Sequence, residues 1–335
     1  MTTFEHGGDV TVFAKACDCE VAEVIDLSSN INFMKPSIEV DFNALEIAPY
    51  PNYATLYEAI SSHYSVKVEE MELFNGGSSA IFTLFKHLSL KQCTIYSPAY
   101  LEYKKAATLF GYQLHIIDRF ENRHEEVKEN SFVIFVNPST PDGMFYSINK
   151  LLEQWKKKNC TVLIDESFIE FTPFRSATTL RHRFPNLYIL KSMTKFFGAA
   201  GIRVGTLISQ AQNIKLLQEK EPLWKLSTFD STYIQAVLKD KNFKVNSRQK
   251  NLESKGYLID ILDNSPMVKK CYPSHANYIL VELKDITAKE LQEKLLPYKV
   301  MVRSCENFDR LSAYHVRIAV KSIDDLRHLK KALDA

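Results

Sequence analysis

The chain has 335 residues, of which 45% are apolar and 24% charged, with a formal net charge of +2 at pH 7. That length buries a sizeable core and predicts about two domains. The balanced, interspersed charge excludes an overall electrostatic footprint for nucleic acid, and no run of 18 apolar residues is present to span a bilayer.

The opening "MTTFEHGGDV" has neither a basic n-region nor an apolar h-region, so the chain reads as cytoplasmic without a signal peptide. Residues 1–35 contain no complete layer and are expected to pack as an arm on the second domain. Six cysteines (Cys17, Cys19, Cys93, Cys160, Cys271, Cys305) are scattered through the chain. Cys17 and Cys19 form C-x-C with no second Cys or His cluster nearby, so free thiols and no metal site are expected.

From residue 36 to 234 the pattern is that of a large α/β domain. Short apolar runs, "CTIYS", "YQLHII", "FVIFVN", "TVLIDE", "LYILKS" and "RVGTLIS", read as strands. Segments such as "LEYKKAATLF" and "INKLLEQWKKKN" carry apolar residues at helical spacing between them. Strand–helix alternation predicts a mostly parallel sheet with helices on both faces. From 235 to 335 a long polar helix candidate leads into "HANYILVEL", a helix at 287–296, "KVMVRSC", "YHVRIAV" and "IDDLRHLKKAL". This is the pattern of a smaller α+β domain.

Ligands of open α/β sheets bind beyond the carboxyl ends of the strands. Four features fall on that edge: "NGGSSAIF" (75–82), "NPSTPDG" (137–143), "DESF" (165–168) and "SMTK" (192–195), the last followed by Arg203. A lysine can condense with an aldehyde, and a strand-end aspartate can pair with a ring nitrogen. A glycine–serine helix start, two hydroxyls and an arginine can hold a phosphate. Together these are the needs of pyridoxal 5′-phosphate. "GAAGIRVG" does not fit the dinucleotide fingerprint G-x-G-x-x-G.

With these motifs the sequence resembles, over nearly its whole length, the fold-type I, aspartate-aminotransferase-like enzymes that use pyridoxal phosphate. Four stretches carry a narrower resemblance: "HGGDV", "DLSSNIN" (26–32), "DESFIEF" (165–171) and "VMVRSCENFDRL" (300–311). They look most like the threonine-phosphate decarboxylases of cobalamin biosynthesis, with histidinol-phosphate aminotransferases as close relatives.

The resemblance implies that Lys195 bonds the cofactor and Asp165 pairs with its pyridinium nitrogen. It implies that Gly77, Ser78, Ser192, Thr194 and Arg203 hold the cofactor phosphate and that Tyr100 stacks on the ring. Tyr50 matches a tyrosine that reaches the neighbouring subunit's cofactor, so a homodimer with shared sites is implied. Arg303 and Arg317 fall to the substrate's anionic end, helped by His6, Gly7 and Asn30. Two positions depart from the wider pattern. Thr140 replaces an asparagine of N-P-N-N-P-T-G that contacts the cofactor's 3′ oxygen. Phe168 stands where many aminotransferases have tyrosine, as in the decarboxylase subgroup.

The implied reaction is decarboxylation of L-threonine O-3-phosphate or L-serine O-phosphate, giving an amino-alcohol phosphate for the nucleotide loop of cobamides. The alternative is an aminotransferase of the histidinol-phosphate type, because one cofactor cradle serves both reactions. One methyl separates the two phosphoamino acids, and no residue in the sequence reads it out.

Overall fold

The computed structural model describes residues 7–335, so His6 lies outside the described residues. Strand β1 (Ile25–Asp26) follows a helix at Val10–Ala16. The large sheet is built from β2 (Met71–Asn75), β3 (Gln92–Ser97), β4 (Gln113–Asp118), β5 (Ser131–Val136), β6 (Thr161–Asp165), β7 (Leu187–Ser192) and β8 (Val204–Ile208). The C-terminal portion adds β9 (Val268–Cys271), β10 (Tyr278–Leu283), β11 (Val300–Met301), β12 (Arg303–Ser304) and β13 (His315–Ala319).

The seven strands run in the order β2-β8-β7-β6-β5-β3-β4. Only β8 is antiparallel to its neighbours β2 and β7. The expected mostly parallel sheet is therefore present, with β2 as an edge strand that the sequence pattern did not single out. Central strands are buried on both faces. In β5, Phe132, Ile134 and Val136 enter one core cluster while Val133 and Phe135 enter the other. Strands alternate side chains across the sheet, and helices cover both faces, so each side is apolar and the run reads as continuous. The covering helices have one apolar face each. The helix Asn149–Lys157 buries Leu151, Leu152 and Trp155.

A four-stranded antiparallel sheet, ordered β12-β13-β10-β9, forms the second layer. It packs on the helices Phe243–Asp263 and Ile323–Asp334 through Leu258, Leu262, Ile279, Val281, Val316, Ile318, Leu326 and Leu329. Ser322 caps the last helix by accepting from Asp325 N, and Asp325 returns the contact. The run "KVMVRSC", read from sequence as one strand, divides in two. β11 pairs parallel with β1, and β12 pairs antiparallel with β13. The chain turns at Val302 because its two halves serve different partners. Through β1 the N-terminal segment docks on this portion, with Leu27 N donating to Met301 O and Ala319 N donating to Leu27 O. Among the described residues no helix is long and apolar enough to cross a membrane.

Candidate active site

Because β2, β5, β6 and β7 run in the same direction, their carboxyl ends share one edge. That edge carries Asn75, Val136, Asp165 and Ser192 as the last strand residues. Open α/β sheets bind their ligands at such an edge, beyond the strands' carboxyl ends.

Strand β2 passes directly into the helix Gly76–His87, whose N-cap Asn75 makes no side-chain capping hydrogen bond. The first-turn amides, including those of Gly77 and Ser78, are left to an anion. Gly76 has φ +75°, and a Cβ there would lie 2.4 Å from Arg203 Nη2. The glycine thus lets a guanidinium lie against the helix start. A Cβ at Gly205 would meet Gly76 C at 2.6 Å, so β8 presses on the same turn. Gly77 faces Ser192, whose Oγ is 3.1 Å from Thr194 Oγ1 and accepts from Lys195 Nζ at 3.4 Å. Arg203 is held at both ends, its backbone N donating to Asp230 Oδ1 at 2.8 Å and its Nη1 donating to Ala200 O at 3.0 Å. The residues expected to hold a phosphate therefore form one connected cradle.

Lys195 sits on the short helix Met193–Phe196, with its amine 5.4 Å from the centre of the Phe168 ring. Burial pushes its pKa below the ordinary lysine value. Asp165 opposes that shift, while Arg203 and Arg317 reinforce it. The same burial favours the neutral, nucleophilic form of the amine over the charged one.

Asp165 is 6% exposed and fully engaged. Its Oδ1 accepts from Ser167 N at 2.8 Å and from Ser167 Oγ at 2.5 Å, and its Oδ2 accepts from Tyr103 OH. Tyr103 and Ser167 were missed by sequence reasoning. A signal existed for Tyr103, three residues after Tyr100 and on the same face of the helix Leu101–Leu109. Tyr100 itself is partly exposed at the N-cap of that helix, edge-on to Tyr103 at 6.0 Å.

In the smaller sheet, Arg303 of β12 lies opposite Arg317 of β13 in register. Both are buried. Arg317 donates from Nη1 to Thr140 Oγ1 at 3.1 Å and from Nη2 to Ser28 O at 3.1 Å, and it lies over the Tyr278 ring. Its Nε, like the buried Oδ1 of Asn30, has no hydrogen-bond partner among the described residues. Arg303 donates to Asn307 Oδ1 at 2.9 Å and lies over Phe308. Burial, with Arg317 adding to it, pushes Arg303 down to about 10. Gly7 packs here too, since a Cβ on it would meet Ser28 O at 2.5 Å and Arg303 Cδ at 3.5 Å.

The structure therefore puts Asp165, Arg203 and Arg317 within electrostatic reach of Lys195, Thr140 against Arg317 and Gly7 against Arg303, while Asn30 is buried two residues beyond Ser28. Tyr50 stands apart. It is 73% exposed and stacks on Trp224 with ring centres 4.0 Å apart. An anion cradle at an uncapped helix start, a fixed carboxylate and a lysine held below its ordinary pKa match the phosphate, ring nitrogen and aldehyde of pyridoxal 5′-phosphate.

The profile of the family "Aminotransferase class I and II" matches residues 22–333. The chain is 28% identical, over its whole length, to the adenosylcobalamin biosynthesis bifunctional protein CobDQ of Leptospira interrogans, and spans 41% of that longer protein. It is 24% identical to the threonine-phosphate decarboxylase of Salmonella typhimurium, covering 98% of this chain and 95% of that one. The solved histidinol-phosphate aminotransferase of Clostridium acetobutylicum is 27% identical, with a TM-score of 0.82 over 92% of this chain and 97% of that chain. The enzyme of that name from Sinorhizobium meliloti, solved with pyridoxal-5′-phosphate, shares the fold at a TM-score of 0.81 and 14% identity, over 99% and 98% of the two chains.

Proposed function

The chain belongs to the class I and II aminotransferase family, and from that premise we propose that it decarboxylates an O-phosphorylated 3-hydroxy amino acid. Its cofactor is pyridoxal 5′-phosphate. The substrate is L-threonine O-3-phosphate or L-serine O-phosphate. The product is the corresponding amino-alcohol phosphate, used in building the nucleotide loop of cobamides.

The observation that carries this reading is the facing pair of buried guanidinium groups, Arg303 and Arg317. Two adjacent guanidinium forks suit a ligand with more than one negative charge that joins them. A phosphate monoester does so, and it occupies both forks at once. With the phosphate as the anchored end, the substrate carboxylate is left free to stand where its bond to Cα breaks. Gly7 and Asn30 complete this end of the site.

When bound, pyridoxal phosphate supplies an electron sink for the bond that breaks at Cα. Lys195 would hold the cofactor at its aldehyde carbon through its amine. Asp165, fixed by Tyr103 and Ser167, would pair with the ring nitrogen. Gly77, Ser78, Ser192, Thr194 and Arg203 would hold its phosphate, and Tyr100 would cover the ring. Thr140 takes the asparagine position and orients Arg317 through its Oγ1. Phe168 gives Lys195 an apolar neighbour and brings no hydroxyl to the ring.

On this reading the active unit is a homodimer in which Tyr50 of each subunit reaches the other's cofactor. Tyr50, Trp224, Ile47, Leu223 and Phe229 are all exposed. The reading also divides the chain into an arm to residue 35, a cofactor-binding domain over 36–234 and a small domain over 235–335.

A second reading, transamination of the histidinol-phosphate type, is favoured by the 27% identity to the clostridial enzyme. An assay of the cofactor-loaded protein on both phosphoamino acids without any 2-oxoacid separates the two. Carbon dioxide release supports decarboxylation, whereas turnover only in the presence of 2-oxoglutarate supports transamination.

A further inference from the structure

The motif "DLSSNIN" contributes Asn30 and the Ser28 carbonyl to the substrate end, but its last residue, Asn32, reaches the other end of the site. Asn32 is 4% exposed and lies against the turn that carries Lys195. Its backbone N donates to Lys195 O at 3.0 Å. Its Nδ2 donates to Phe196 O at 2.7 Å and to Ser247 Oγ at 2.6 Å. Its Oδ1 accepts from Met34 N at 3.1 Å and from Asn251 Nδ2 at 3.0 Å. The amide orientation is unambiguous, because Phe196 O can only accept and Met34 N can only donate.

At the end of the short helix Met193–Phe196, Met193 O accepts from Phe197 N at 3.4 Å, Thr194 O from Ala199 N at 2.9 Å and Lys195 O from Gly198 N at a long 3.4 Å. The last two carbonyls, those of Lys195 and Phe196, take further donors from outside the turn. Asn32 supplies both. A second observation agrees. Gly198 has φ +65°, and a Cβ there would stand 2.9 Å from Met34 O and 3.3 Å from Asn32 O. Only glycine lets the Lys195 turn close onto residues 32–34.

The same segment holds the substrate end. Ser28 O accepts from Arg317, Asn30 O accepts from Asn277 Nδ2 at 2.9 Å, and Ile31 O accepts from Lys321 Nζ at 3.0 Å. One stretch of backbone is thus tied to Arg317 near its start and to Lys195 near its end. We infer that Asn32 is a positioning residue, which locks the Lys195 turn to the segment that orients Arg317. The inference rests on Lys195 being the lysine that bonds the cofactor.

The test is the rate at which apoprotein captures added pyridoxal phosphate, followed by absorbance across pH. This rate tracks the neutral fraction of the lysine amine. Asn32→Leu keeps the size and stays neutral but removes the side-chain donor to Phe196 O. It frees the turn and lets water reach Nζ, so the capture midpoint rises by about half a pH unit or more toward the ordinary lysine value. A lowered melting temperature with an unshifted midpoint overturns the positioning role. If Asn32→Leu does not fold, Ser247→Ala weakens the same amide's anchorage from outside the turn. It produces a smaller rise in the midpoint, and an unshifted midpoint there also overturns the role. Lys195→Ala separates the two ideas. Capture that persists in Lys195→Ala removes the premise, whereas a silent Lys195→Ala with an unshifted Asn32→Leu refutes the coupling alone.

Discussion

Arg303 and Arg317 face one another across the β12–β13 pairing, two buried guanidinium groups on adjacent strands. Arg303 donates to Asn307 Oδ1, and Arg317 to Thr140 Oγ1 and the Ser28 carbonyl. On the proposed reading, a doubly charged phosphate binds both forks. Arg317→Ala should therefore lower kcat/KM for the phosphoamino acid by about 30- to 1,000-fold, a loss of about 2–4 kcal/mol. Arg303→Lys should recover only part of the loss seen in Arg303→Ala, because an ammonium cannot bind two oxygens in one plane. Steady-state kinetics on the variants decide both points.

Gly76 makes room for Arg203 at the start of the phosphate-binding helix. In Gly76→Ala the new methyl falls 2.4 Å from Arg203 Nη2, on a residue with φ +75°. The flexible guanidinium has to withdraw, and the positive φ costs about 1–2 kcal/mol. Pyridoxal phosphate affinity should drop about tenfold or more with the lost charge-assisted contact. Cofactor titration followed by absorbance, together with a melting curve, separates the affinity effect from the stability effect.

Tyr50 and Lys195 contribute to different sites if the dimer shares its active sites. Tyr50→Ala and Lys195→Ala homodimers should each be impaired, Lys195→Ala severely. Subunits mixed after dissociation should regain about a quarter of wild-type activity, since half the dimers are hybrids with one intact site each. Mixtures no more active than the average of the two variants would count against shared sites.

Lys255 gives a pH dependence with a definite sign. Its Nζ donates to Ser274 O and Ala276 O, at 3.0 and 3.1 Å, and burial pushes its pKa down to about 8. The unfolded chain holds that proton up to about pH 10.4. Between these values the unfolded state binds more protons, so this group's contribution to stability rises with pH and is lost as pH falls through about 8. Urea midpoints measured from pH 7.5 to 10 should show that slope in the wild type, and Lys255→Met should flatten it.

The candidate edge was legible in the sequence because its strands end in, or run straight into, chemically marked residues. "TVLID" ends on Asp165 and "LYILKS" runs into Lys195, and strand direction alone puts them side by side. Arg303 and Arg317 were legible as alternating residues on neighbouring strand candidates. Contacts made at long sequence separation were not. Tyr103 meets Asp165 across 62 residues, and Asn251 meets Asn32 across 219. No periodicity encodes such pairings. Likewise nothing within "KVMVRSC" marks the switch at Val302, which is set by two partners, β1 and β13, that lie elsewhere in the chain. The edge strand β2 escaped because its five residues, "MELFN", carry a glutamate. In the fold Glu72 is buried against Lys225, Tyr57 and Gln218.

The most direct test is the fate of the substrate carboxylate. The protein loaded with pyridoxal phosphate is given L-threonine O-3-phosphate or L-serine O-phosphate labelled at C1, with no 2-oxoacid present. Labelled carbon dioxide with an amino-alcohol phosphate as co-product is the predicted result. Retention of the label in an amino or keto acid, with turnover only when 2-oxoglutarate is added, would contradict it.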